Sequence, residues 1–507
     1  MTTAQTPITR TPETASFFRN GFYGPISLLS AAQCDLARRH LKLGSLPDPL
    51  GWEKGRAATD RLLYDLATRP KLLSLLRALL GENIILWGAG ILTREPGQMH
   101  PWHSDIESSA PDQHFVSVWI GIENTDRDSA LQLISRSHLF GKTIQEVAHE
   151  KGVRRGETSR ERVIEWAGEY DPDAKFVQPA MQDGEALIFD GRLWHSSNNT
   201  RRQGPRSALL FQYAADGSPV LMPDFTQLEW PFRHKESRVP VIAVSGNNGA
   251  GVNYLVAPPV DAVEQLTTEV KPIALPLPED PVARWQPHHL FAGSTPNLQR
   301  MSSHCSVLSS GHCPHPPHAH REEELLIVLG GEAELVISDA PPSDNTLIKR
   351  LRQGSFVYYP AYQYHTIRNA TAAPISYLMF KWTGAPIEIE RPLEMKIVDL
   401  DGGTPESQTA FSAQVLLEGA TAYLNKLHAH LSVLQAGAGY EPHIDEHDVA
   451  IVVLAGKLET LGQTVESCGV IYYAAGELHG MKNIGHERAR YLALEFRAPK
   501  SVQNRLL

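Results

Sequence analysis

An internal repeat constrains this 507-residue chain more than any other feature. PPHAHREEELLIVLGGEAELVI (316–337) parallels EPHIDEHDVAIVVLAGKLETLG (441–462), and GSFVYYPAYQYHTIRN (354–369) parallels GVIYYAAGELHGMKN (469–483). Short apolar runs punctuated by glycine, copied once, fit two examples of one β-module of ordinary domain size. Runs of the same kind occur earlier: NIILWGAGILTRE, HFVSVWIGIEN, SALQLISRSHLF, EALIFDGRLWHSS and RSALLFQYA. Their spacing predicts antiparallel strands of a sandwich or barrel. Two apolar-periodic stretches, 27–43 and 60–81, precede them and predict helices, the second ending on Gly81.

The polar stretch between Phe140 and Phe176 is long for a simple connection and predicts a helix-carrying insertion placed over the site. Six prolines between Pro258 and Pro281 predict an extended linker over 261–285. The expected division is therefore 1–260, the linker, then modules over 286–392 and 393–507.

The chemistry begins at HPWHSDIE (100–107). On a strand, residues two apart share a face, so His103 and Asp105 can reach one metal, and His195 in LWHSS can add a third ligand. Two imidazoles and one carboxylate suit Fe(II) and leave positions for a chelating 2-oxoacid and O2. Arg206 opens an apolar strand, and its planar fork suits the far carboxylate of 2-oxoglutarate better than Arg201 or Arg202 among turn residues.

With these residues in view, the stretch from about 15 to 255 resembles the phytanoyl-CoA dioxygenase family of Fe(II)/2-oxoglutarate oxygenases. The landmarks are His103-x-Asp105, Trp119 in SVWIGIEN, SRSH at 135–138, His195, Ser197 and Arg206. The resemblance implies a double-stranded β-helix (jelly roll) with N-terminal and inserted helices. It also implies that Trp119, Ser197 and Arg206 line the 2-oxoglutarate pocket. Ser129 stands where a glycine is usual, and Ser135-Arg136 where Pro-Gly is usual. Asp105 in place of a small residue disfavours a halogenase.

The repeated modules resemble cupins. In the first, His318, His320 and Glu324 share parity, and with His365 they would hold a second transition metal of unspecified identity. Tyr362 stands where a glycine is usual. In the second, His443, Asp445 and His479 still offer two imidazoles and a carboxylate, but Val449 replaces the glutamate, as a structural copy would show. His447 and Asp448 are nearby alternatives.

The fold class expected is thus mainly β, an oxygenase jelly roll followed by two cupin barrels. A net charge of −10 argues against a nucleic-acid partner, and no run is long and apolar enough for a membrane span. Four cysteines without a CxxC pair, and an N-terminus without a secretory core, suit the cytoplasm. The basic residues Lys151, Arg154, Arg155, Arg160 and Arg162 read mainly as a solvated face, with an anion-attracting lid as the alternative. The activity expected is hydroxylation of a small-molecule or carrier-bound metabolite, consuming 2-oxoglutarate and O2, with the cupin half binding metal or ligand and open to a second step on the oxygenase product. The competing reading makes the cupin half the enzyme (dioxygenase, isomerase or lyase) or a ligand-binding assembly module. A homodimer through these modules is one assembly open to it.

Overall fold

The computed structural model describes residues 11–43, 50–105, 115–154, 156–199, 204–224, 226, 230–247, 249–260, 263–277, 283–338, 346–400 and 409–499. Arg155, Arg201 and Arg202 lie outside them. The chain forms two units, Met1–Val260 and Asp261–Leu507.

The first unit opens with helices whose ends are chemically specified. Thr11 caps Pro12–Asn20, and Ser30 with Gln33 forms a capping box on Ala31–Leu41. The expected helix over 60–81 is two helices, Arg61–Ala67 and Pro70–Leu80. Pro70 disfavours helical geometry at the residue before it, and Arg69 accordingly has ψ 137.

Two sheets follow. The larger runs in the order Phe22–Ser27, Glu185–Asp190, Phe115–Glu123, Arg206–Ala215, Ile84–Arg94, Pro240–Ser245, Tyr254–Leu255. The smaller runs Met99–His103, His195–Asn198, Leu131–Ile134, Phe176–Val177. Trp119, Leu187, Phe189 and Ala208 from the first meet Leu131 and Leu133 from the second in one buried core. This is the jelly-roll arrangement expected. The insertion folds as helices Ile144–Glu150 and Arg160–Tyr170. Their buried faces pack on Trp102 and Trp194, the neighbours of two candidate ligands.

The second unit holds two similar β-modules. In the first, the sheet order is Trp285–Gly293, Arg300–Leu308, Ile375–Thr383, Glu323–Gly330, Ser355–Tyr359, Lys396–Asp399. In the second it is Phe411–Gly419, Lys426–Leu434, Ala489–Arg497, Asp448–Ala455, Val470–Tyr473, Glu269–Lys271. Each sheet is backed by a smaller one, around Glu332–Ser338 and Leu478–Asn483 respectively. Separate apolar cores fill the two modules.

The last strand of each order departs from the expected boundaries. Glu269–Lys271, inside the predicted linker, pairs with Val470–Tyr473 of the second module. Lys396–Asp399, expected in the second module, pairs with Ser355–Tyr359 of the first. A strand that precedes the first module thus completes the sheet of the second, and this part of the proline-rich segment belongs to the fold. Buried carboxylates also link the modules. Glu323 accepts hydrogen bonds from Thr421, the Ala422 backbone N–H, Trp382 and Tyr358. Asp448, its counterpart by register, accepts from Thr295, Tyr472 and the Ala475 backbone N–H.

Candidate metal centres

In the first unit, strands Met99–His103 and His195–Asn198 pair so that His103 faces His195 directly. Their rings are 4.0 Å apart between centroids. Asp105 lies two residues past His103, just beyond the strand, so the two reach the centre from a strand end and the turn after it. Ligand atoms of His103, Asp105 and His195 lie within 4.8 Å of one another. His103 Nδ1 is 2.9 Å from the Pro101 carbonyl oxygen and His195 Nδ1 is 2.8 Å from that of Leu193. Those contacts suit Nδ1–H donors, the tautomer that puts the lone pair of each ring on Nε2. Burial lowers the His195 pKa, which favours the neutral ligand form. Asp105 Oδ2 accepts from Ser117 Oγ at 2.8 Å and Gln212 Nε2 at 3.0 Å. Its Oδ1 lies 3.9 Å from His195 Nε2. Ser117 and Gln212 carry no motif and escaped the sequence reading.

Arg206 is 0 % exposed. Its guanidinium lies 5.2 Å from the centroid of the Trp119 ring. Among the described residues, its only hydrogen bond is a long one from Nη1 to the Leu92 carbonyl, at 3.4 Å, while Nε and Nη2 are buried without hydrogen-bond partners. Trp119 Nε1 is likewise buried and unpartnered. Burial pulls the Arg206 pKa down to about 10, still far above neutrality. A buried cation with orphan donors carries a desolvation cost that a carboxylate would offset. Ser197 is buried on the strand of His195 and, two residues on, shares its face. Arg136 has φ 68, the left-handed geometry that glycine adopts more easily, as the departure from Pro-Gly suggests. The basic face of the insertion is partly neutralised: Lys151 pairs with Glu169 and Lys142 with Glu150.

In the first repeated module, ligand atoms of His320, Glu324 and His365 lie within 4.8 Å of one another. Glu324 is buried, 2.9 Å from His320 Nε2 and 3.0 Å from His365 Nε2. These contacts hold its carboxyl well below the usual range despite burial. His318 stands outside that group. It and His320 do not share the strand of Glu324, which starts at Glu323; His318 instead forms an isolated bridge with His365. His318 does line the adjoining pocket of about 60 Å³, with His304, Glu324, Tyr359, His365 and Lys381. Lys381 places its Nζ directly on Glu324 Oε1, a cation that sequence reasoning missed. Tyr362 adopts φ 60, and its backbone N–H donates to the His320 carbonyl at 2.8 Å.

In the second module, ligand atoms of His443, Asp445 and His479 also lie within 4.8 Å of one another. Asp445 Oδ2 is 3.6 Å from His443 and 3.4 Å from His479. This group is more open: the His443 side chain is 48 % exposed. Asp448 is engaged in the module contact described above and is not part of it.

Residues 50–208 match the family model "Phytanoyl-CoA dioxygenase (PhyH)". Residues 306–381 match the cupin domain model. The chain is 22% identical over 170 residues to peroxisomal phytanoyl-CoA dioxygenase of Rattus norvegicus, covering 30% of this chain and 46% of that protein. The Bos taurus enzyme is 22% identical over 172 residues, covering 31% and 47%. The chain thus spans about half the length of the curated relatives it matches. Among solved structures, a Pseudomonas aeruginosa protein described as glyoxylate-induced aligns at 15% identity and TM-score 0.37, covering 48% of this chain and 95% of that one. Oxalate decarboxylase of Lactobacillus farciminis aligns at 12% identity and TM-score 0.31, covering 40% and 78%. The chain therefore combines a phytanoyl-CoA-dioxygenase-like region with a cupin domain. Among the described residues, no helix is long and apolar enough to cross a membrane.

Proposed function

We propose that the first unit is an Fe(II)- and 2-oxoglutarate-dependent oxygenase that hydroxylates a small-molecule or carrier-bound metabolite. The observation that carries this reading is the buried Arg206, whose Nε and Nη2 are orphaned in the same fold as a two-histidine, one-carboxylate set. His103, Asp105 and His195 would hold Fe(II), which with bound 2-oxoglutarate supplies O2-dependent oxidation of a C–H bond, releasing succinate and CO2. Arg206 would fix the far carboxylate by two parallel hydrogen bonds, with Trp119 Nε1 as a further donor. Ser117 and Gln212 hold Asp105 through Oδ2 and would orient the carboxylate for a metal. The test is anaerobic addition of Fe(II) and 2-oxoglutarate, then O2, with succinate measured across a metabolite panel. Succinate should form in the wild type and not in Asp105→Ala; its absence from both overturns the reading.

A second reading is favoured by the first cupin module's pocket. At about 60 Å³ it accommodates roughly four to six waters, or a ligand of a few non-hydrogen atoms. His320, Glu324 and His365 would hold a transition metal, and Lys381 suits a small carboxylate beside it. Small carboxylates should raise the melting temperature of the metal-loaded chain, and Lys381→Ala should remove that shift.

A further inference from the structure

The second module carries another group of ligating side chains, apart from His443, Asp445 and His479. Strands Lys426–Leu434 and Ala489–Arg497 are antiparallel neighbours in which His428 pairs directly with Glu495. His428 and His430 are two residues apart and share a face, with ring centroids 5.2 Å apart. His447, just before the strand on the other side of Glu495, brings Nε2 to 3.2 Å from Glu495 Oε2. Ligand atoms of His428, His430 and Glu495 lie within 4.8 Å of one another.

Two further observations point to a cation. His428 Nδ1 lies 2.6 Å from Glu418 Oε2. A carboxylate on one imidazole nitrogen fixes that nitrogen as the N–H and frees the other as a lone pair, the arrangement that supports metal-bound histidine. His430 Nδ1 is buried, has no hydrogen-bond partner, and faces Glu495 Oε1 across 4.0 Å. Arg497 engages Glu495 through Oε2, at 2.9 and 2.6 Å, and leaves Oε1 for the histidines. An ion pair with Arg497 alone would account for Glu495, but not for the orphaned nitrogen or the Glu418–His428 contact.

Comparison of the modules gives the site a rationale. Register aligns Glu324 and its neighbour Lys381 with Val449 and its neighbour Glu495. The first module has its carboxylate on one strand and a lysine on the next. The second has lost that carboxylate to valine and carries one at the lysine position instead. His430 aligns with His304, and His428 with Ser302.

We infer that His428, His430 and Glu495, with His447 beside them, form a divalent transition-metal site. Imidazole nitrogen with one carboxylate oxygen suits Zn²⁺, Co²⁺, Ni²⁺ or Cu²⁺ rather than the oxygen-seeking Mg²⁺ or Ca²⁺. Metal–nitrogen bonds of about 2.0–2.1 Å require these side chains to close by about an ångström.

The test is Co²⁺ titration of the full chain carrying Asp105→Ala and His320→Ala, which silence the other metal-binding candidates outside this module. One equivalent should bind, with the visible band of imidazole-ligated Co²⁺. Adding His430→Ala or Glu495→Gln should abolish it, while His443→Ala should leave it intact. Glu418→Gln, on an exposed residue, should weaken Co²⁺ binding about tenfold without unfolding the module. No bound Co²⁺ in the starting chain overturns the inference. So does undiminished binding in the His430, Glu495 and Glu418 variants, or loss in His443→Ala alone, which would place the metal at the more exposed group.

Discussion

Gln145 holds Ser104 by both faces of its side-chain amide: its Oε1 accepts from the Ser104 backbone N–H at 3.0 Å, and its Nε2 donates to the Ser104 carbonyl at 2.8 Å. Ser104 is the residue between His103 and Asp105. The insertion helix Ile144–Glu150 therefore fixes the turn that carries two candidate ligands, from a segment that is itself no ligand. Gln145→Ala should leave the fold intact and weaken Fe(II) retention. Losing two buried hydrogen bonds costs about 1–3 kcal/mol, or roughly ten- to a hundredfold in metal affinity if the loss falls on the bound state. Anaerobic Fe(II) titration checks this; unchanged affinity would make the insertion a cover without influence on the ligands.

Arg206→Lys keeps a positive charge but cannot form the fork. The apparent affinity for 2-oxoglutarate should fall roughly ten- to a hundredfold, corresponding to the loss of about 1.5–3 kcal/mol from a charge-assisted hydrogen bond. Fe(II) binding should persist. Equal dependence on 2-oxoglutarate in both proteins would move the anchoring role elsewhere.

The Glu323 carboxylate gives a pH signature for the second unit. Burial pushes its pKa up to about 7, against four donors that pull it down. The ordinary value applies in the unfolded chain, so between the two the folded state binds more protons. The stabilisation from this group is full below the ordinary value near 4.5 and is lost as pH rises through about 7. Melting curves from pH 5 to 8 should show Glu323→Gln losing that part of the decline. Parallel curves for wild type and variant would remove Glu323 as its source.

What the sequence made legible follows from range. His103, Asp105 and His195 stood out because their types and the two-residue spacing are local signals. The supports of Asp105 did not, because Ser117 and Gln212 come from other strands and have no motif. Parity links His318 to Glu324 only along a continuous strand, and this one begins at Glu323, yet the His318 ring still lies 5.0 Å from that of His320 and 5.5 Å from that of His365. His428 and His430 sit in KLHAHLSVL, whose alternation reads simply as a half-buried strand. The three-residue strand Glu269–Lys271 is too short for periodicity and lies among prolines. Proline spacing carries no signal of which sheet edge such a strand joins.

That strand sets the last prediction. A fragment beginning at Asp261 keeps Glu269–Lys271, which pairs with Val470–Tyr473, and keeps the Thr268 hydroxyl that accepts from the Ala474 backbone N–H at 2.9 Å. It also keeps Leu266 and Ile273, both buried. A fragment beginning at Val282 loses all of these and exposes an edge of the second module. Burying a leucine or isoleucine side chain is worth about 1.5–3 kcal/mol, so two of them alone exceed the margin of many single substitutions. The 261–507 fragment should therefore unfold in one cooperative transition at the higher urea midpoint. The 282–507 fragment should unfold earlier and associate through its uncovered edge. Sizing chromatography and urea melts compare them directly. Equal midpoints with both fragments monomeric would show that Glu269–Lys271 adds nothing to the stability of the second unit.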